Sequence, residues 1–226
     1  MCSDSAPHEH TLGFGESRDR TRARCLDLAP RLHVDGIAVA AGAGNSCDLV
    51  YATDSIAEQL DELHFTLGEG PGVDCVSCLT PQIHHHLLSS ASAGRWPIFA
   101  QEAAALGVES VYVYPLAIGS SPLGVLELYG RRPFALSSRE DEMCCQYSAA
   151  ITVSVLTDLA PGSSPRPDGD ERTFSRSNVH LACGILAVRQ NISIGAALLH
   201  LRSTAYAEQR RITSVAQEII DNLNLP

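Results

Sequence analysis

The residues of this chain that could do chemistry lie in three stretches. Cys75-Val-Ser-Cys78 stands just ahead of His84-His85-His86. Two thiolates and an imidazole can hold zinc, and a Cys-x-x-Cys pair can also cycle between dithiol and disulfide. A single such pair is a weaker signal than two, and consecutive histidines on a strand point to opposite faces, so only His84 and His86 converge. The thiols are therefore read as buried or incidental, and no metal site is expected. Gly68-Glu-Gly-Pro-Gly72 has the glycine density of a phosphate-binding loop. Such loops aim consecutive backbone N–H groups at an anion, yet Pro71 has none, Glu69 would repel phosphate, and no Lys-Ser or Lys-Thr follows. A tight turn is expected there. No metalloprotease, nucleophile-elbow or kinase-type set of residues occurs, so the chain is not expected to be an enzyme.

The third stretch is basic. Residues 172–226 carry six arginines against three carboxylates, a net charge of +3, whereas residues 1–171 carry −13. A polyanion-binding module joined to an acidic domain has this distribution, as does a helical unit with a few solvated arginines. Apolar residues crowd Val179–Val188, Ala182, Gly184 and Ala187 are small, and Gly184 costs about 1 kcal/mol of helix propensity relative to Ala, which suggests a packing or contact reason for it. Asn191 and Ser193 break the helix, with Ser193 a cap for a second one carrying Ala197, Leu198, Leu201 and Ala205 at helical spacing. Thr213 is the candidate cap of a third, striped by Val215, Ala216, Ile219 and Ile220. Three short helices bury little area alone, so packing against a partner is expected.

These elements resemble an ANTAR domain, the RNA-binding output module of bacterial antitermination regulators. The resemblance is carried by Ala182-x-Gly184-Ile-Leu, Ser193-x-x-Ala196-Ala197, Leu201-Arg202-x-x-Ala205 and Ile212-x-x-Val215-Ala216-x-x-Ile219. The family usually has a basic residue where this chain has Cys183, and often an acid where it has Ala196. The resemblance implies RNA stem-loops in nascent transcripts as partner. The candidate contacts are Arg176, His180, Gly184, Arg189, Arg202, Arg210 and Arg211. Arg172, Arg176 and His180 fall on one face if the first helix starts that early.

At 226 residues and 45% hydrophobic, with mean hydropathy near zero, the chain suits two packed domains. Residues 1–21 are read as a disordered tail, 22–159 as a larger domain, 160–175 as a linker and 172–226 as the helical unit. The opening residues have neither a basic start nor an apolar segment, and no run approaches the length of a membrane span, so a cytoplasmic protein without membrane contact is expected. In that compartment the eight cysteines do not form a disulfide framework. Cys144 and Cys145 are read as core residues of a helix.

In the larger domain a helix at 22–32, strands at Gly36–Ala41 and Asp48–Ala52, and a short helix at Ile56–Leu63 are predicted. A hairpin follows, from Ser110–Ile118 to Val125–Tyr129, and then a helix at Ser138–Asp158 with acids in its first turn. Strands and helices without regular alternation predict an α+β fold built on an antiparallel sheet rather than a doubly wound one. Leu60-x-Glu-Leu-His-Phe-Thr-Leu-Gly-Glu-Gly-Pro71, Arg95-Trp-Pro97, Ser110-Val-Tyr-Val-Tyr-Pro-Leu116 and Gly124-Val-Leu-Glu-Leu-Tyr129 resemble a GAF domain of the kind joined to ANTAR modules in actinobacteria. That implies a sheet flanked by helices, a sensory pocket for an unspecified small molecule, and a tendency to homodimerise. Tyr112 and Tyr114 share one side of their strand and, with Trp96, are the candidates for lining the pocket or covering the sheet. No cofactor is expected. The resulting expectation is a signal-responsive RNA-binding regulator. The alternatives are a dimerisation or ligand-binding adaptor without RNA binding, or a thiol redox sensor or methionine sulfoxide reductase based on Cys75 and Cys78.

Overall fold

The computed structural model describes residues 15–42, 47–159 and 176–222. Five antiparallel strands form one sheet: β1 (Gly36–Ala41), β2 (Asp48–Ala52), β3 (Gln82–His84), β4 (Ser110–Ile118) and β5 (Ser121–Gly130), in the order β2-β1-β5-β4-β3. The predicted strands at 36–41, 48–52 and 110–118 form over those same residues. The hairpin turn is tighter than expected, because Ile118 pairs with Ser121 and the ladder starts before Val125.

The strands read as near-continuous apolar runs because the sheet is covered on both sides. Val111, Val113, Val125 and Tyr129 face one core; Tyr112, Tyr114, Leu116, Leu126 and Leu128 face the other. The second core is closed by α1 (Gly15–Leu28), which runs into a 3-10 turn at Ala29–Arg31, and by α6 (Ser138–Leu159). α1 begins inside the stretch read as a tail; residues 1–14 and the expected linker at 160–175 lie outside the described residues. α6 opens with a reciprocal cap. Ser137 Oγ accepts from the Glu140 amide at 3.3 Å, while the Glu140 carboxylate accepts from the Ser137 amide at 2.8 Å.

The first core is closed by α2 (Ser55–Leu67), α3 (Pro71–Cys78), α4 (Ser90–Arg95) and α5 (Pro97–Ala105). Neither α3, α4 and α5 nor β3 was predicted. Each is short, and α3 and α5 are started by a proline at the first turn, a position that needs no N–H donor.

The C-terminal unit contains α7 (Ser177–Gln190), α8 (Ile194–Ala207) and α9 (Ile212–Asp221) around a third core. Asn191 ends α7 in the left-handed conformation, and Ser193 Oγ caps α8 by accepting from the Ala196 amide at 3.1 Å. Thr213 is not a cap: α9 starts one residue earlier, with Arg211 extended at the cap position and supplying no acceptor. No single helix among the described residues is long and apolar enough to cross a membrane. α7 and α8 together meet the composition but are bent by 111°, and Val179, Ala182, Leu186, Ala197 and Leu201 pack into the bundle.

Candidate functional site

α2 organises the site because two of its faces are occupied. Asp54 starts it by accepting from the Ile56 and Ala57 amides at 2.8 and 3.0 Å, and Gly68 ends it at φ 69°. Ala57, Leu60 and His64 fall at helical spacing and turn toward the sheet, where all three are buried. Glu58, Asp61, Glu62 and Phe65 fall on the adjoining face and meet the C-terminal helices.

Phe65 is a residue of the first unit that belongs to the core of the second. It is 9% exposed and packs with Val179, Ala182, Leu201 and Ile212. The Arg176 guanidinium lies over its ring at 4.1 Å and that of Arg202 at 5.8 Å. Arg176 ion-pairs with Asp61 at 2.8 Å, both side chains more than nine-tenths buried, and donates to the Cys47 carbonyl. Burial pushes the Asp61 carboxyl up and Arg176 pulls it part of the way back. Arg202 Nε donates to the Phe65 carbonyl at 3.0 Å. At the outer edge Arg211 pairs with Glu58 at 3.1 Å and Glu62 at 3.5 Å.

One turn from Asp61, His64 meets Glu127 of β5 at 2.7 Å in a second buried pair. Burial acts to lower the imidazole's affinity for a proton, but the Glu127 charge and hydrogen bond outweigh it, so the net shift is upward. The ring stacks on Phe99 at 4.2 Å between centroids. Gly70, at φ 121°, leaves room for it; a Cβ there would run into the imidazole. The glycine-rich stretch is thus the α2–α3 connection, as the expected turn. Glu69 inside it accepts from the Ile98 and Phe99 amides at 2.9 and 2.8 Å, placing its own carboxylate at the N-terminus of α5.

Between α2, α3, the paired strands β1 and β5 and α8 lies a cleft of about 320 Å³. Ala40, Val73, Val76, Val125 and Leu198 give it apolar walls, and Asp61, His64, Arg176 and Arg202 bring charge to it. A second cleft of about 330 Å³ runs between α2, α5 and the α8–α9 turn.

The residues expected to line a pocket do not line this cleft. Tyr112 and Tyr114 do share one side, but it is the α1–α6 side, where both are fully buried. The Tyr112 hydroxyl donates to the Phe134 carbonyl and the Tyr114 hydroxyl to Asp141 at 2.6 Å. Trp96 lies across the sheet from them, 2% exposed, its indole N–H donating to Asp74 at 3.0 Å. Alternation shows that two residues share a side but not which side holds the cleft. Sequence reasoning missed Asp61, His64, Phe65 and Glu127; the i, i+3, i+4 spacing of the first three on α2 is the one available signal.

The expected RNA contacts divide. Arg176 and Arg202 are turned inward, and Arg210 and Arg211 are exposed but held by carboxylates, Arg210 by Glu208 and Glu218. Arg189 and His180 are exposed, Arg189 with no carboxylate partner among the described residues. α7 starts at Ser177, with Arg176 at its cap position; Arg176 is buried and His180 exposed, so these two do not present one basic face, and Arg172 is outside the described residues. Gly184 meets nothing within 4 Å of where a Cβ would stand, so no described part of the chain packs on it.

The thiols separate by burial. Cys75 is fully buried and its thiol is pushed up to about 12, whereas Cys78 is exposed and lowered by its hydrogen bond with Thr80. Cys144 is core as expected, but Cys145 is exposed. β3 ends at His84, whose ring bonds Ser92 at 3.1 Å, so His86 lies past the strand. Among the described residues no three His, Cys, Asp or Glu side chains are grouped to hold a metal.

No protein-family profile and no curated protein sequence matches the chain. Solved structures do. The GAF domain region of a putative membrane protein from Geobacter sulfurreducens superimposes with a TM-score of 0.51 at 12% identity, covering 63% of this chain and 94% of that one. GAF domains of phosphoenolpyruvate-protein phosphotransferases from Acinetobacter and Coxiella burnetii give the same TM-score at 13% and 16% identity, each covering 66% of this chain and 87% of its own. At such identities the likeness establishes the fold: this chain contains a GAF fold, with α+β architecture on a five-stranded antiparallel sheet.

Proposed function

We propose that this protein is a signal-responsive RNA-binding regulator, in which the GAF fold senses a small molecule and sets how an ANTAR-like helical unit meets stem-loops in nascent transcripts. The observation that carries this reading is the shared cleft: its walls come from α2, α3 and the sheet on one side and from Arg176, Leu198 and Arg202 on the other. A ligand there touches both units at once, so it couples sensing to output without a separate relay. Arg189 and His180 stay exposed, and Arg210 can reach phosphate by exchanging its exposed partners Glu208 and Glu218, while Arg176 and Arg202 are withheld. Cys183 fits this arrangement. It is 1% exposed, its thiol is raised by burial and drawn back by nearby Arg202, and a cation at this position would meet another.

A second reading, a ligand-binding adaptor without RNA binding, is favoured by one fact: Arg202, the arginine of the Leu-Arg signature, is spent on the Phe65 carbonyl. Binding of the full chain to dual stem-loop RNAs across a salt series, against scrambled hairpins, separates the two. The regulator prefers particular loops and shows a shallower salt dependence in Arg189→Ala/Arg210→Ala, because each phosphate contact removed lowers the slope by about one. Absence of loop preference establishes the adaptor.

A further inference from the structure

Among the ionic groups around the shared cleft, the described residues form two pairs and leave one cation over. Arg176 answers Asp61 at 2.8 Å and His64 answers Glu127 at 2.7 Å, each pair buried. Arg202 has no carboxylate partner among the described residues, although it lies partly buried on the cleft wall. Its Nε is committed to the Phe65 carbonyl, while its terminal nitrogens lie beside Gly68 and have no acceptor among the described residues. A guanidinium partly withdrawn from water without a counter-charge gains from an anion that supplies one.

We propose that the cleft binds a small organic monoanion, a carboxylate on an apolar body, with its head on the terminal nitrogens of Arg202. Two parallel N–H···O bonds from one guanidinium match a carboxylate. The body lies against Val73, Val76, Val125, Ala40 and Leu198. A monoanion fits because a single charge is unbalanced; a second negative charge would compete with Asp61 for Arg176 and work against the pair that joins the units. The cleft's 320 Å³ is near the lower limit of ligand sites, about 300–1,000 Å³, which favours a small molecule. Since Arg202 belongs to α8 and the opposite walls to α2, α3 and the sheet, the bound anion clamps the C-terminal helices on the GAF fold. Arg176 and Arg202 then stay withheld. This inference rests on the sensory reading of the cleft but not on RNA binding.

Calorimetric titration and thermal melts of the full chain with benzoate and hexanoate test it, alongside benzamide, hexanamide and inorganic phosphate. The acids are expected to raise the melting temperature saturably and to bind at least about tenfold tighter than their amides, a difference of about 1.4 kcal/mol. Arg202→Gln loses that preference and Arg202→Lys recovers part of it. Because Arg202 also bonds Phe65, Val76→Trp provides an independent check: it fills the cleft from α3 and abolishes binding in a protein that still melts cooperatively. Equal binding of acids and amides, preference for phosphate, no binding by either acid, or undiminished binding in Arg202→Gln overturns the proposal. All of this is read without RNA. Carboxylate binding without loop preference leaves the clamp standing and makes the protein an adaptor, whereas loop preference with no carboxylate binding removes the clamp alone.

Discussion

The two faces of the sheet solve the same burial problem by different means. Under α1 and α6 the core is made of Leu28, Ile37, Leu126, Leu128 and Ile151, and the Tyr112 and Tyr114 hydroxyls within it are satisfied locally by Phe134 and Asp141. Under α2 and α3 the apolar core is interrupted by the Asp61–Arg176 and His64–Glu127 pairs and by a cleft. Apolar packing on the first face is the cheaper solution, because desolvating charges costs several kcal/mol per ion before pairing offsets it. Polar groups retained at that cost mark the face where something besides stability is specified. The contrast leaves the α1–α6 face to structure and makes the α2–α3 face the one on which the proposed sensing role rests.

The largest effect that can break this comparison is at Asp61. Asp61→Ala strands the buried Arg176 and is expected to destabilise the chain by about 3–5 kcal/mol, read from urea unfolding. The double replacement Asp61→Leu/Arg176→Met should return most of that stability while removing the buried ion pair between the units; a double variant as unstable as the single one would show that the pair is not an isolated charge problem. On the other face Tyr114→Phe removes a hydrogen bond to a carboxylate and should cost about 1.5–3 kcal/mol with no change in ligand or RNA binding. A change in binding there would merge the two faces into one functional unit. Glu69→Ala uncaps α5 and is expected to cost about 1 kcal/mol by thermal melt.

His64 gives the comparison a pH dependence. Its folded-state proton affinity lies above the ordinary imidazole value of 6.5, so the folded chain binds the proton more tightly than the unfolded one. The stabilisation is fully present below about 6.5 and is lost as pH rises through the folded value. Melting temperatures of His64→Gln should lack that decline; an identical profile in both proteins would remove His64 as its source. The smallest perturbation is thiol labelling of the native chain. Cys78 and Cys145 should react quickly, whereas Cys25, Cys75 and Cys144, buried and pushed up to about 12, should wait for unfolding.

Three of the strands were legible to the residue because a covered strand writes itself as an apolar run between turn residues: Gly36–Ala41 stops at a glycine and Ser110–Ile118 at Gly119. α6 was legible through the acids of its first turn and α8 through its cap at Ser193. α3 to α5 were not, because helices of six to nine residues have too few turns to show a period, and here proline rather than a side-chain oxygen starts two of them. The site was hidden for another reason. Phe65 looks like one more apolar residue of α2, and only its place among Val179, Leu201 and Ile212 shows that it serves the other unit.

The sequence by itself determined four of the five strands, the longer helices, the antiparallel α+β architecture and the charge reversal between the two units, since these follow from local patterning and composition. Only the tertiary structure decided which arginines face solvent, that the tyrosines and Trp96 stand on opposite sides of the sheet, and that His64 and Glu127, 63 residues apart, meet. Those facts depend on which faces of distant elements come together, and a one-dimensional pattern records the faces of each element without naming their partners.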